Sequence, residues 1–291
     1  MFPPGPLRAA GFAALWHPEL IAATALLGAA YLLTVTRLRP RFAGGIRVPA
    51  ARQAAFLGGI AALYAAQGSP LELLANRYLL SAHMAQMVLL VFVATPLCLE
   101  GLPEWLLRPV LARPALAGLL RRLTRPRTSL PFFIGAFCIF LLPPLTDLGL
   151  ADPWLYTLEH ALLVLAALCL WWPVTSRAPE VPALEVGARL LFLFMIEVFM
   201  TLPFALITFA PSPLYPAYAD APRVLGLSPL FDQQLGGIIM RLGSGASFGV
   251  LLARTFFGWA AREPARDPDL VLPADRAAPA PALEPQAGGS G

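Results

Sequence analysis

The sequence predicts an all-α, polytopic membrane bundle, and three observations predict it. Apolar types make up 58% of the 291 residues while Asp, Glu, Lys and Arg supply only 13%. Seven apolar runs stand near the ~20 residues that a helix needs to cross a bilayer. The basic residues, all of them Arg, fall mainly between those runs. A water-soluble domain carries about 25% charged residues, so neither a soluble enzyme nor a disordered chain fits. The mean hydropathy of +0.68 agrees.

The runs are roughly 17–36, 53–69, 78–100, 130–149, 154–174, 188–210 and 233–257. The first is read as a span and not a signal peptide, because its basic residues follow the apolar run and only Arg8 precedes it. The second is the weakest, being short and carrying Gly58, Gly59 and Gln67. Between the third and fourth lies a basic but apolar connection, 103–129. There Leu116, Leu119, Leu120 and Leu123 recur at helical spacing beside Arg121 and Arg122. That pattern predicts an amphipathic helix on an anionic lipid surface, or a helix that docks a partner. Pro96, Pro143, Pro144 and Pro203 interrupt the later runs and remove backbone donors. Gly245 and Gly249 form a small-x-x-x-small pair on the last one, which predicts close packing. Residues 1–262 are thus expected to form one membrane domain. From Glu263 the composition turns to Pro, Ala, Asp and Gly, and 263–291 is expected to be a disordered tail.

Orientation follows from the arginines. Arg37, Arg39, Arg41, Arg47 and Arg52 occupy the first connection, six more lie in 103–129, and Arg177 and Arg189 lie in the fifth. Those thirteen face three on the other side, Arg8, Arg77 and Arg223. The positive-inside rule puts the thirteen in the cytoplasm, the N-terminus outside and the C-terminus inside. A basic balance arranged this way orients a membrane protein, and nucleic acid is not an expected partner.

Polar groups at membrane depth are few, and by default each raises a functional question. His83 lies five residues below Tyr78, about 7.5 Å from the outer end at the helical rise. Met87 shares its face, Gln86 flanks it, and Met84 lies about 100° away. Imidazole with thioether is a soft pair suited to copper(I). The alternative is a buried His bonded to a neighbouring helix, with Met as packing. His160 lies six residues below Trp154, about 9 Å deep. The two histidines therefore share a depth, which makes a common site plausible. Glu159 and Tyr156 stand beside His160 and could orient it, or form a structural network with it. Asp232, with Gln233 and Gln234, opens the last run, where an Asp is a good N-cap. Glu197 and Arg241 are the deepest charges, and a structural ion pair between them is the economical reading. His17 is expected to anchor the chain at the interface. Cys98, Cys138 and Cys169 lie singly in apolar runs and predict buried packing, not disulfides. No G-x-S-x-G, Walker, G-x-G-x-x-G or H-E-x-x-H motif is present, so an enzyme is not expected.

Several segments together resemble one family. SAHMAQMVLL followed by TPLCLEGLPEWLLRP, then LEHALLVLAALCLWWPV, PLYPAYAD, FDQQLGGIIMR and FFGWAARE stand in the order found in the CtaG family of cytochrome c oxidase assembly factors. The resemblance covers most of residues 78–263. It implies a multi-pass protein of the bacterial cytoplasmic membrane that helps build heme–copper cytochrome c oxidase and acts at its copper centres. Oxidase subunits and membrane lipid are then the expected partners. His83, Gln86 and Met87 match the family's H-M-x-Q-M pattern, and broader relatives carry a second His where Met87 stands. Glu159 and His160 match a polar pair, and some relatives have a His in place of Tyr156. Asp232, Gln233 and Gln234 match the start of the family's final helix. Arg241 matches a basic position of one branch, whereas Glu197 has no family equivalent.

The combined expectation is a copper site on the outer side built from His83, Met87 and His160, with Met84 nearby. Gln86, Tyr156 and Glu159 would support it, and Asp232 and Gln233 would shape its mouth. Two other functions stay open. A copper or small-solute transporter would need Glu100, Glu197 and Arg241 as an inward path. A metal-free scaffold for an oxidase subunit would need no ligands at all.

Overall fold

The computed structural model describes residues 11–43 and 46–261, and every regular element among them is helical. Arg8 and the tail 263–291 lie outside the described residues. The main elements are α1 (Pro18–Arg41), α2 (Ala50–Gln67), α3 (Pro70–Arg77) and α4 (Leu80–Gly101). Then come α5 (Glu104–Leu111), α6 (Pro114–Leu123), α7 (Pro126–Phe140) and α8 (Pro143–Ala151). The last three are α9 (Pro153–Thr175), α10 (Val186–Thr208) and α11 (Pro229–Ala260).

Five of these, α1, α4, α9, α10 and α11, are long and apolar enough to cross a membrane, and α7 with α8 makes a sixth if the bent pair is one crossing. The expected second span, α2, falls short of that measure. It is 18 residues long and carries Arg52, Gln53 and Gln67. It is nonetheless built into the bundle. Arg52 caps the end of α4 by donating to the carbonyls of Glu100 (3.2 Å) and Leu102 (2.8 Å), where a cation meets unsatisfied carbonyls favourably. At the far end of α2, the carbonyl of Ala66 accepts from Gln86 Nε2 of α4 at 3.0 Å. Two glycines allow this close approach. A Cβ on Gly101 would stand 2.5 Å from the backbone nitrogen of Phe56, and one on Gly59 2.8 Å from that of Cys98.

The run at 130–149 is broken. Leu142 takes an extended ψ of 127°, Pro143 and Pro144 follow, and α8 leaves α7 at 71°. A residue before proline is pushed away from helix by the ring, so the break is encoded locally. The single amphipathic helix expected over 103–129 is also two, α5 and α6. Leu116 and Leu119 stay exposed, while Leu120 packs under Trp172 and Val181. The close packing expected at Gly245 and Gly249 is absent. A Cβ on Gly249 would meet nothing within 4 Å, and one on Gly245 only Glu197 at 3.9 Å.

The centre of the bundle is aromatic. Phe92 meets Phe133, Phe137, Phe248 and Trp171 edge to face, with ring centroids 5.7–6.5 Å apart. Such edge-to-face pairs add to area burial. A π-helical stretch, Val88–Ala94, interrupts α4 here. The carbonyl of Val91 within it accepts from Trp171 Nε1 at 2.8 Å. The neighbouring Trp172 donates to Val181 at 3.1 Å, so the paired tryptophans hold two different segments. Because α4 and α9 meet both at His83–His160 and, further along, at Val91–Trp171, they run parallel. That places the first turns of both helices at one end of the bundle.

Candidate functional site

The start of α4 is held by a group from another helix. Asp232 of α11 is almost fully buried. Its carboxylate accepts from the backbone nitrogens of Leu80 (2.8 Å) and Ser81 (3.2 Å) and from the Ser81 hydroxyl. The expectation that Asp232 caps its own helix is therefore corrected. Ser228 does that, accepting from Phe231 N at 3.3 Å. Asp232 instead satisfies the first amides of α4, whose helix dipole favours a carboxylate there. Gln233 beside it joins the 209–214 turn, donating to the Ile207 carbonyl (3.1 Å) and accepting from Leu214 N (2.6 Å). Neither residue lines the cavity described next, so they position its walls and do not form its mouth.

One turn below this anchor, α4, α7, α8 and α9 enclose a cavity of about 20 Å³, room for roughly one water or one bare ion. His83, Met87, Tyr156, Glu159 and His160 all line it, and Met240 of α11 adds a second thioether. Residues 83 and 160, 77 positions apart in sequence, thus come together. Their ring centroids are 6.1 Å apart and the planes nearly perpendicular, at 88°.

The hydrogen bonds set the state of one ring. His160 Nδ1 lies 2.8 Å from the carbonyl of Tyr156. A carbonyl only accepts, so Nδ1 carries the proton and Nε2 presents a lone pair. That Nε2 is buried and has no hydrogen-bond partner, and the same holds for Nδ1 of His83. Buried polar atoms are nearly always satisfied, so two unmatched ring nitrogens on one cavity stand out. The Tyr156 ring lies over His160 with centroids 3.9 Å apart. Its hydroxyl donates to Gln86 Oε1 at 2.9 Å. Gln86, fully buried, is anchored in turn to α2. Gln86 therefore fixes Tyr156, and the backbone of Tyr156 fixes His160.

Two expected members behave differently. Glu159 lines the cavity but makes no bond to His160, and its Oε1 has no partner. Orientation of His160 comes from the carbonyl one helical turn earlier. Met84 is buried but turns away, packing toward Gly236 of α11, where an added Cβ would stand 3.2 Å from its Cγ. The 100° step from His83 is the reason.

Three contributors had no signal in the sequence. Tyr218 places its ring 6.2 Å from His83 and donates to the Ala75 carbonyl at 2.7 Å. Burial pushes its phenol well above the ordinary range, so it remains a neutral donor. Thr146 and Leu150 of α8 close the cavity from the side, a consequence of the bend before Pro143. His17 does not join the other histidines. It pairs with Glu19 (2.8 Å) and Glu72 (3.6 Å). The three cysteines are free thiols and none lines the cavity. Among the described residues no three His, Cys, Asp or Glu side chains gather as a metal-ligand set. The donors on this cavity are two imidazoles, the thioethers of Met87 and Met240 and the Glu159 carboxylate.

Away from the cavity, Glu197 of α10 and Arg241 of α11 form an ion pair. Both sit near the middle of their helices, with side chains 22% and 44% exposed. Glu197→Leu alone leaves a guanidinium unpaired at mid-span, which costs at least about 2.5–3.5 kcal/mol on insertion scales. A lower melting temperature of the detergent-solubilised protein is the expected result. The double variant Glu197→Leu/Arg241→Leu is expected to melt at or above the parent, because replacing a buried pair by apolar groups is often neutral or better. A double variant no better than the single would mean that the pair does more than neutralise itself.

The family model described as Cytochrome c oxidase caa3 assembly factor (Caa3_CtaG) matches residues 29–262. No curated protein matches the chain, and no solved structure does.

Proposed function

Because the chain belongs to the cytochrome c oxidase caa3 assembly factor family, we propose that it receives copper(I) on the outer side of the membrane and passes it to a maturing oxidase subunit. The observation that carries this reading is the pair of buried, unpartnered ring nitrogens, His83 Nδ1 and His160 Nε2, on one small cavity. Metal–imidazole bonds of about 2.0 Å put each ring centroid roughly 3.2 Å from a shared ion. Two rings at a near-linear angle would then have centroids roughly 6 Å apart, which is compatible with the 6.1 Å separation here. Met87, with its soft thioether, favours copper(I) over harder or more demanding ions. Few ligands and a cavity at the start of the helices suit a carrier that must release its cargo. Only metal–ligand bonds are exchanged and no covalent bond of a substrate is made or broken, so the protein is no enzyme on this reading.

The topology that goes with it has seven crossings of the bacterial cytoplasmic membrane, with the N-terminus outside and the C-terminus inside. Contacts at both ends of α1 and α2 support it. Tyr64 of α2 reaches Trp16 while Tyr31 of α1 reaches Gly101, so α1 and α2 run the length of the bundle. The arginine-rich connections collect at the end opposite the histidines, as the positive-inside rule requires. Transport is the weaker reading, because the rings of Phe92, Phe133, Phe137 and Trp171 fill the core beneath the cavity.

Deletion of the gene tests the function. We expect oxidase that retains heme but lacks copper and activity, with partial recovery when copper is added to the medium. Normal copper content and activity after deletion would remove the assignment. Loss of the oxidase without any copper dependence would favour the scaffold. Copper uptake by vesicles containing the purified protein would favour transport.

A further inference from the structure

The connection between α4 and α7 forms a surface that the copper reading does not use. Its helices α5 and α6 are 8 and 10 residues long, far short of the ~20 that a crossing needs. Both are pinned between longer helices. Leu102 and Pro103 alone separate α5 from α4, and Thr124 and Arg125 alone separate α6 from α7. One side of the pair packs on the bundle, where Trp105, Leu111 and Ala117 are buried and Leu120 packs beneath Trp172. The apolar arc of α6 continues past that contact. Leu116 lies about 40° round the helix from Leu120, and Leu119 about 100° round in the same direction. They are 39% and 54% exposed, and Val110 of α5 is 51% exposed. Arg122, about 60° beyond Leu119, closes the arc.

The charges here lack partners within the chain. Glu104 is the one carboxylate in 103–129, and it pairs with Arg52 at 3.4 Å. Arg113, Arg122, Arg125 and Arg127 are exposed, and their guanidiniums form no hydrogen bond or ion pair among the described residues. Three of the four stand where a helix favours an anion. Arg113 is the N-cap of α6 and Arg125 that of α7, neither helix start has a side-chain cap, and Arg127 lies in the first turn of α7. The first N–H groups of a helix need acceptors, and its positive end repels a cation. These arginines therefore do not stabilise the helices they open. Phosphate oxygens answer both needs at once, accepting from the amides and pairing with the guanidiniums. Orientation by the positive-inside rule asks only for basic residues in this connection. It requires neither arginines at helix starts nor leucines left bare beside them. We propose that α5 and α6 lie in the headgroup layer of an anionic phospholipid leaflet. Phosphates sit at Arg113, Arg125 and Arg127, and acyl chains lie against Val110, Leu116 and Leu119. Charge complementarity selects this occupant, because a surface both basic and apolar matches a leaflet both anionic and apolar. The inference rests on the membrane reading and is independent of copper.

The test uses the full chain in nanodiscs, either of phosphatidylcholine alone or with phosphatidylglycerol mixed in, with amide hydrogen exchange read by mass spectrometry. Residues 103–129 are expected to exchange at least about tenfold more slowly in the anionic discs. Peptides from α11 should exchange alike in both, as should those of Arg77→Gln protein, altered at the other end. Replacing Arg113, Arg125 and Arg127 by Gln should abolish the lipid effect, each one taking back up to about fivefold. The same three changed to Lys should keep most of it. Leu116→Ser/Leu119→Ser should weaken it with every charge in place. Unchanged exchange in α9 and α11 checks that each variant is folded. Equal exchange of 103–129 in the two discs would overturn the proposal, as would a lipid effect that the three Gln substitutions leave intact. Protection that appears only on adding purified oxidase subunits, whatever the lipid, would overturn it in favour of a protein-docking surface.

Discussion

Alanine at His83 and His160 together is expected to abolish copper(I) retention by the purified protein while leaving it folded. The two rings supply the unpartnered nitrogens of the cavity. Removing both takes away the only imidazoles on it and leaves the thioethers of Met87 and Met240 with the Glu159 carboxylate. Loss of a mere supporting residue typically costs 10–100-fold in metal affinity, so loss of two ligands should exceed about 100-fold. Single variants should bind more weakly than the parent but more tightly than the double. Met87→Leu should fall between the single histidine variants and the parent. The fold should survive, because the hydrogen bond described for these rings is a single one, from His160 Nδ1 to the Tyr156 carbonyl within the same helix, worth about 1 kcal/mol. Competition against a chromogenic copper(I) chelator measures the affinity, and thermal melting checks the fold. Full retention by the double variant would end the copper mechanism. Full oxidase assembly in cells carrying it would leave a metal-free scaffold as the function.

Asp232→Ala is expected to be the most destabilising single change. Its carboxylate satisfies two buried amides and one hydroxyl at the start of α4. Each buried donor left without a partner costs about 1–3 kcal/mol, so a loss of about 3–5 kcal/mol follows. His83 lies two residues after Ser81, so the copper site should loosen with the helix start, and copper retention should fall in parallel. Asp232→Asn keeps an acceptor and should recover about half the loss. Ser228→Ala provides the contrast. It removes the exposed N-cap of α11 itself, a change worth about 1 kcal/mol. Thermal and denaturant unfolding of the three variants in detergent measures the difference. An Asp232→Ala protein as stable as Ser228→Ala would show that the contact across helices is not what holds α4.

Much of the fold is legible along the chain. The apolar runs mark the long helices, and Pro143 with Pro144 marks the bend, because backbone satisfaction and steric clash act within a few residues. The common depth of His83 and His160 is equally legible, since depth is residues counted from a helix end. So is the pairing of Glu197 with Arg241, because two opposite charges at mid-span have few other partners among the spans. Less was legible where rotation matters. Met84 and Met87 look alike in sequence, yet only Met87 reaches the cavity. Asp232 has the form of a cap for its own helix and caps another. Gln86 looks like a neighbour of the site and acts through Tyr156. Gly245 and Gly249 have the spacing of a packing motif, yet an added Cβ would meet only Glu197 at the first, 3.9 Å away, and nothing within 4 Å at the second.

By itself the sequence determined the all-helical, apolar class, the ends of most long helices and how far along its helix each polar group lies. Those properties are sums of local solvation along a chain, and no partner helix needs to be known to compute them. Only the tertiary structure decided which rings meet, which carboxylate holds which helix and which glycines admit a neighbour. Lipid-facing and protein-facing surfaces are both apolar in a membrane. Hydropathy therefore carries almost no record of how each helix is turned about its axis, and a turn of one residue, about 100°, separates a ligand from a packing side chain.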